Sequence, residues 1–161
     1  MTDKTFMQQA IALAREAGQE GEVPVGCVIT LGDRVVGTGR NRRELGKSAL
    51  AHAEVEAIHN ACQTLGGWRL WQCTLYVTLE PCPMCAGAIV NARIPRVVYG
   101  AKDPKAGSCG SVVSLFDLPF NHRPTVEAGL MEEECTQLLT DFFRALREKK
   151  RTAKLCQDEG F

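Results

Sequence analysis

Three observations in the sequence predict a layered α/β domain. Short apolar runs of strand length alternate with segments whose apolar residues recur at helical spacing, the pattern of a sheet covered by helices. The punctuation between them is compact: Gly32-Asp33, Gly66-Gly67 and the Gly- and Ser-rich stretch from Asp103 to Ser111 read as turns or loops, with no repeat, long linker or low-complexity segment. The 161 residues are 45% hydrophobic and 24% charged, close to globular averages, and a chain of this length buries roughly 70% of the surface its unfolded form exposes.

The first helix rests on Phe6, Ala10, Leu13, Ala14 and Ala17, with Asp3 as the expected N-cap and Gly18 as the stop. Val25 to Leu31 is a strand, Gly32-Asp33 its turn, and Arg34 to Thr38 the returning strand of a hairpin. Ala51 to Leu65 is predicted as the second helix. Leu75 to Leu79 follows as the third strand, Met84 to Ala92 as a short helix, and Val97 to Gly100 as the fourth strand. Val112 to Pro124 carries no clear period, Thr125 to Ala128 is a short strand, and the final helix starts near Met131 and carries Leu138, Leu139, Phe142, Phe143 and Leu146.

Composition excludes several classes. No run approaches eighteen apolar residues, and the polar start through Gln8, Gln9, Arg15 and Glu16 is not an apolar signal core, so a cytoplasmic protein without a membrane segment is expected. Eight cysteines are too sparse for a disulfide scaffold, which directs paired cysteines to metal or redox chemistry. The balance of 19 Lys+Arg against 19 Asp+Glu gives no blanket argument for nucleic-acid binding. Charge is nevertheless uneven, because Arg144, Arg147, Lys149, Lys150, Arg151 and Lys154 face only Glu148 after the acidic run at Glu132 to Glu134. Acids in the first turn and bases in the last equally describe a helix complementing its own dipole.

Two motifs stand apart from core sequence. His52-Ala53-Glu54 opens the second helix, and Pro81-Cys82-Pro83-Met84-Cys85 joins the third strand to the third helix. His52, Cys82 and Cys85 supply an imidazole and two thiolates suited to Zn²⁺, and three protein ligands leave the fourth position open to water, as catalytic sites require. Helix starts carry partial positive charge and favour thiolates. Glu54 is then free to move protons as general acid and base, provided the first turn lets His52 and Glu54 converge beyond the helix end. Each fragment alone has a plainer explanation: a surface histidine, a redox pair, or half of a structural zinc site. Together, His-x-Glu and Pro-Cys-x-x-Cys at strand-to-helix junctions form the zinc deaminase signature. Cys27, Cys62, Cys73, Cys109, Cys135 and Cys156 are read as core or surface thiols; Cys109 is the one that could close the site, although nothing in its spacing demands it.

Glu22-Val23-Pro24-Val25-Gly26, Ala51-His52-Ala53-Glu54, the run Thr74 to Ala88 and the run Arg93 to Gly100 together resemble the bacterial tRNA-specific adenosine deaminases. The resemblance covers nearly the whole chain. It implies a three-layer α/β/α cytidine-deaminase-like fold with a five-stranded mixed sheet, one zinc-dependent deaminase domain over residues 1–151, and a tail at 152–161. It also implies a homodimer with one Zn²⁺ per subunit, converting adenosine to inosine at the wobble position of a tRNA anticodon stem-loop. By the same resemblance Asn41, Ala53, Asp103, Lys105, Asn121, His122, Phe143 and Arg147 are substrate-binding residues. Their types suit a splayed single-stranded loop, with an aromatic for stacking, amides and His for base edges, and Lys and Arg for phosphates. Asn121 and Asp103 also read as turn residues, and of Phe142 and Phe143 only the second is expected to be partly exposed.

One departure concerns the residues before the helix: Ala49-Leu50 precede Ala51-His52 where similar proteins carry Pro-Thr, making Ser48 a possible cap for an earlier start. Guanine deaminase, acting on the free base, is the alternative enzyme, and a zinc-stabilised nucleic-acid-binding module without turnover is the alternative from another class. Glu54 argues against the module because a structural ligand set does not need it.

Overall fold

The computed structural model describes residues 1–158. Its elements run α1 (Asp3–Gln19), β1 (Gly26–Leu31), β2 (Arg34–Arg40), α2 (Ala53–Leu65), β3 (Cys73–Leu79), α3 (Pro83–Ala92), β4 (Arg96–Ala101), β5 (Thr125–Ala128) and α4 (Glu132–Asp158). The strands form one five-stranded mixed sheet in the order β2-β1-β3-β4-β5. β1 is antiparallel to both β2 and β3, whereas β3, β4 and β5 run parallel. The architecture is the three-layer, cytidine-deaminase-like one.

Side-chain alternation along the strands builds two cores. Cys27, Ile29, Leu75, Val77, Val97 and Tyr99 pack with α2 and α3 on one face, while Val28, Tyr76 and Val98 pack with α1 and α4 on the other. Strands buried on both faces read as continuous apolar runs, which is why β1, β3 and β4 are conspicuous in the sequence. On β2, Gly37 and Gly39 let α2 lie directly on the strand. A Cβ on Gly39 would collide with the Ala53 carbonyl, and one on Gly37 with that of Ala57. Ala53, Ala57 and Ala61 form the small-residue stripe that makes this approach possible.

Several expected boundaries move. Thr2 caps α1 in place of Asp3, its Oγ1 accepting from the Thr5 N–H at 3.3 Å. Asp3 instead pairs with Arg96 at 2.7 Å and accepts from the Tyr76 hydroxyl at 2.6 Å, tying α1 to the sheet. Gly18 does not stop α1, which ends at Gln19. Ser48 caps no helix; its hydroxyl accepts from Leu50 N–H within a turn, and α2 begins after His52. The stretch after Ser111 holds a 3₁₀ turn at Leu115–Asp117. The segment expected as a tail is helix through Asp158, because no Gly or Pro interrupts the chain from Glu132 to that point, and residues 159–161 lie outside the described residues. No helix among the described residues is long and apolar enough to cross a membrane.

Candidate active site

The hairpin and the parallel crossover bring two helix starts to the same rim of the sheet. His52 is the N-cap residue of α2 and Cys82 that of α3, and neither side chain caps its helix. Pro83 occupies the first turn of α3, where its missing N–H costs nothing. Unpaired N–H groups of both helices therefore point toward the side chains between them.

Those side chains form a compact donor set. Cys82 Sγ and Cys85 Sγ each lie 3.6 Å from His52 Nδ1, and the three ligand atoms fall within 4.8 Å of one another. Bonds of about 2.0–2.1 Å to nitrogen and about 2.3 Å to sulfur at tetrahedral angles separate N from S by about 3.6 Å, so the spacing fits zinc. The two sulfurs compete for one proton. A hydrogen bond from Cys85 holds the Cys82 thiol down to about 4, and the same bond, with burial, raises Cys85. His52 is raised by its hydrogen bond to Cys82. A dication would replace the shared protons. Cys109 does not join the group, so among the described residues no fourth side chain completes it.

Glu54 is 4% exposed, on the first turn of α2 beside these ligands. Burial pushes its carboxyl up to about 7, against the pull of its own N–H. His52 as cap residue and Glu54 two positions on reach the same space because the cap has extended, not helical, backbone.

The group lies in a cleft of about 510 Å³ that gathers Asn41, His52, Ala53, Glu54, Cys82, Asp103, Lys105 and Phe143. Asn41 is partly committed: its side-chain N–H donates to the Val23 carbonyl at 3.2 Å and its oxygen accepts from Arg43 N–H at 3.1 Å. Asp103 shapes its own loop, Oδ1 accepting from the N–H groups of Lys105 and Ala106. Phe143 is 41% exposed on the cleft wall, and Phe142 is also half-open, which the sequence reading did not expect. Three expected residues do not line the cleft. Arg147 is exposed one turn beyond Phe143, Asn121 is exposed, and His122 Nε2 lies 2.7 Å from the Ile94 carbonyl.

Sequence reasoning missed Arg43, Lys102 and Leu139 on the wall, and two buried acids, Glu80 on the cleft lining and Glu22 behind it. Glu22, 1% exposed, accepts from Glu44 N–H at 3.0 Å and Leu45 N–H at 2.8 Å. Glu80, 2% exposed, accepts from the N–H groups of Asp103, Cys109 and Ser111 and from the Ser111 hydroxyl. Both lie inside segments that carry the family resemblance, Glu22 opening Glu22-Val23-Pro24-Val25-Gly26 and Glu80 within the run Thr74 to Ala88, but neither is assigned a role there.

Residues 1–147 match the MafB19-like deaminase family. A tRNA-specific adenosine deaminase of Bacillus subtilis (strain 168) is 47% identical over 153 residues, 94% of this chain and 95% of the relative. A structure solved in work on A-to-I editing by tRNA:A34 deaminases at the wobble position of transfer RNA superimposes with a TM-score of 0.81 at 47% identity, covering 84% of this chain and 99% of the other. The X-ray structure of guanine deaminase from Bacillus subtilis has a TM-score of 0.63 at 36% identity, covering 92% of this chain and 95% of that one.

Proposed function

The chain belongs to the MafB19-like deaminases and to the tRNA-specific adenosine deaminases, and from that membership we propose that it hydrolyses adenosine to inosine at the wobble position of a tRNA anticodon. The observation that carries the chemistry is the His52, Cys82 and Cys85 set with buried Glu54 beside it at the foot of an open cleft. We assign His52, Cys82 and Cys85 as ligands of one Zn²⁺ per subunit. Such an ion supplies the Lewis acidity that makes water a competent nucleophile near neutral pH.

The chain's own residues do the rest. Glu54 takes one proton from the attacking water and passes it to the purine ring, then takes the second from the hydroxyl newly formed on the base carbon and passes it to the departing amino group, so that adenosine and water become inosine and ammonia. The raised carboxyl suits it to both directions of transfer. The uncapped starts of α2 and α3 stabilise the anionic sulfurs and the charge that develops between them. Asn41 and the Ala53 main chain face the nucleoside, Phe143 offers a ring for base stacking, and Lys105 offers charge to the phosphates.

α4 extends this surface. Residues 139, 143, 147, 150 and 154 recur at three- and four-residue intervals, so Leu139 and Phe143 on the cleft wall share one stripe with Arg147, Lys150 and Lys154. That stripe supports an RNA backbone running outward from the cleft. The net-neutral chain thus concentrates cations where the RNA leaves the site. Asn121 and His122 contact RNA in this proposal outside the cleft itself.

We further propose one deaminase unit over residues 1–151 working as a homodimer, with exposed Leu50, Val112, Val113, Leu118 and Phe120 available for a second copy to cover. The proposed compartment is the cytoplasm, which suits eight cysteines with no disulfide among them. The test is incubation with an anticodon stem-loop bearing adenosine at the wobble position, and separately with free guanine. Inosine in the RNA supports the reading. Xanthine with intact RNA favours the guanine deaminase alternative that the 36% identical structure keeps in view.

A further inference from the structure

We propose that Glu80 is a positioning residue, its buried carboxylate holding the 103–111 loop in the shape that presents Asp103 and Lys105 to the RNA. The inference rests on the RNA-deaminase reading above and deepens it.

Glu80 follows the last residue of β3 and precedes Cys82 by two positions, yet its side chain turns away from the donor set and into the loop. Four donors converge on it. Oε1 accepts from Asp103 N–H at 3.1 Å and from the Ser111 hydroxyl at 2.5 Å; Oε2 accepts from Cys109 N–H at 3.0 Å and Ser111 N–H at 3.1 Å. The loop wraps so closely that a Cβ on Gly107 would collide with the Glu80 carboxyl carbon and come within 2.5 Å of the Asp103 carbonyl oxygen. Ser108 N–H donates to the Pro81 carbonyl at 2.9 Å, locking the same loop to the residue before Cys82. Nothing in the proton transfers assigned to Glu54 uses Glu80. Its 2% exposure and four accepted hydrogen bonds, three of them from backbone N–H groups of the loop, describe a template.

Glu22 offers a built-in comparison. It gathers the N–H groups of Glu44 and Leu45 and so anchors the other loop bordering the cleft, the one that carries Arg43. Each loop has its own buried acid, and the two can be perturbed separately.

The discriminating substitution is Glu80→Gln, which keeps size but brings two N–H donors. With its amide nitrogen placed where Oε1 stood, the Ser111 hydroxyl can turn to accept, but Asp103 N–H loses its acceptor. KM for the anticodon stem-loop is expected to rise roughly tenfold, the change associated with one lost hydrogen bond to a charged group. The kcat and the zinc content should stay near wild type. Hydrogen exchange of the 103–111 amides should quicken, while Glu22→Gln should quicken only the 44–45 amides. Gly107→Ala, which displaces the loop with the carboxylate intact, should reproduce the KM effect. The proposal is overturned if Glu80→Gln lowers kcat or zinc content with KM unchanged, or if it lowers only the melting temperature with exchange in the loop unaltered. If wild-type protein forms no inosine, the proposed function fails, and the exchange rates still decide whether Glu80 organises the loop.

Discussion

Replacing Glu54 with glutamine separates proton transfer from every other task of the site. The side chain keeps its shape, and since it is 4% exposed, water has little room to substitute for it. A positioned general acid or base typically contributes 10²–10⁴-fold, and Glu54 is assigned transfers to both the ring and the leaving amine, so a loss of about 10⁴-fold, or about 5 kcal/mol of barrier, is expected. The three donor atoms within 4.8 Å of one another do not include Glu54, so the zinc content of Glu54→Gln should equal that of wild type. Affinity for the stem-loop should change little, because the cleft walls are untouched. The assay pairs inosine formation under single-turnover conditions with elemental analysis and an RNA titration. Activity within tenfold of wild type would show that another group carries the protons, and loss of metal would show that Glu54 is a ligand.

Four other substitutions address different parts of the molecule. Asp3 is held down to about 2 by hydrogen bonds from Arg96 and then Tyr76, so its contribution is full above the ordinary value of 3.8 and disappears as pH falls through 2. With the side chain 43% exposed, solvent screening limits Asp3→Asn to about 1 kcal/mol of lost stability, measurable by denaturant titration at pH 7 and largely gone at pH 2; an equal loss at both values would remove the ion pair from the explanation. Gly39→Ala should lift the first turn of α2 off β2, costing about 1–3 kcal/mol and weakening metal retention against a chelator, because the clash falls on the Ala53 carbonyl next to His52. Wild-type metal retention would mean that the donor set does not depend on this seating. Lys105→Ala and Arg147→Ala should each reduce the slope of log affinity against log salt for the stem-loop by about 0.7–0.9. An unchanged slope assigns that cation to ordinary surface charge.

The parts of the fold with a period were legible in the sequence. Cys27 to Leu31, Leu75 to Leu79 and Val97 to Gly100 are apolar because both faces of their strands are covered, and Gly66 ends α2 in the left-handed conformation expected of a C-cap. His52, Cys82, Cys85 and Glu54 stood out as candidates in the sequence because their chemistry is rare and their junctions are marked by turn signals, and the fold brings ligand atoms of the first three within 4.8 Å of one another. What escaped was set by distant backbone. Glu22 and Glu80 answer N–H groups more than twenty positions away, and no spacing rule encodes such partners. Thr2 displaced Asp3 as cap because Arg96, far along the chain, offers Asp3 a better use. Asn121, His122 and Arg147, placed by resemblance in the anticodon-loop groove, lie outside the cleft itself: His122 Nε2 sits 2.7 Å from the Ile94 carbonyl, and Arg147 is exposed one helical turn past Phe143.

The antiparallel pairing of β1 with β3 sets Leu31 opposite Cys73, so the hairpin tip at Gly32-Asp33 sits at the end of the sheet where β3 begins, far from where it delivers Cys82. The molecule therefore has a working end and an idle end. A fluorophore, affinity tag or fused domain attached at the idle tip would ride a strand's length away from the bound nucleotide, and the hairpin becomes a natural handle for tethering this enzyme to another macromolecule without crowding its mouth.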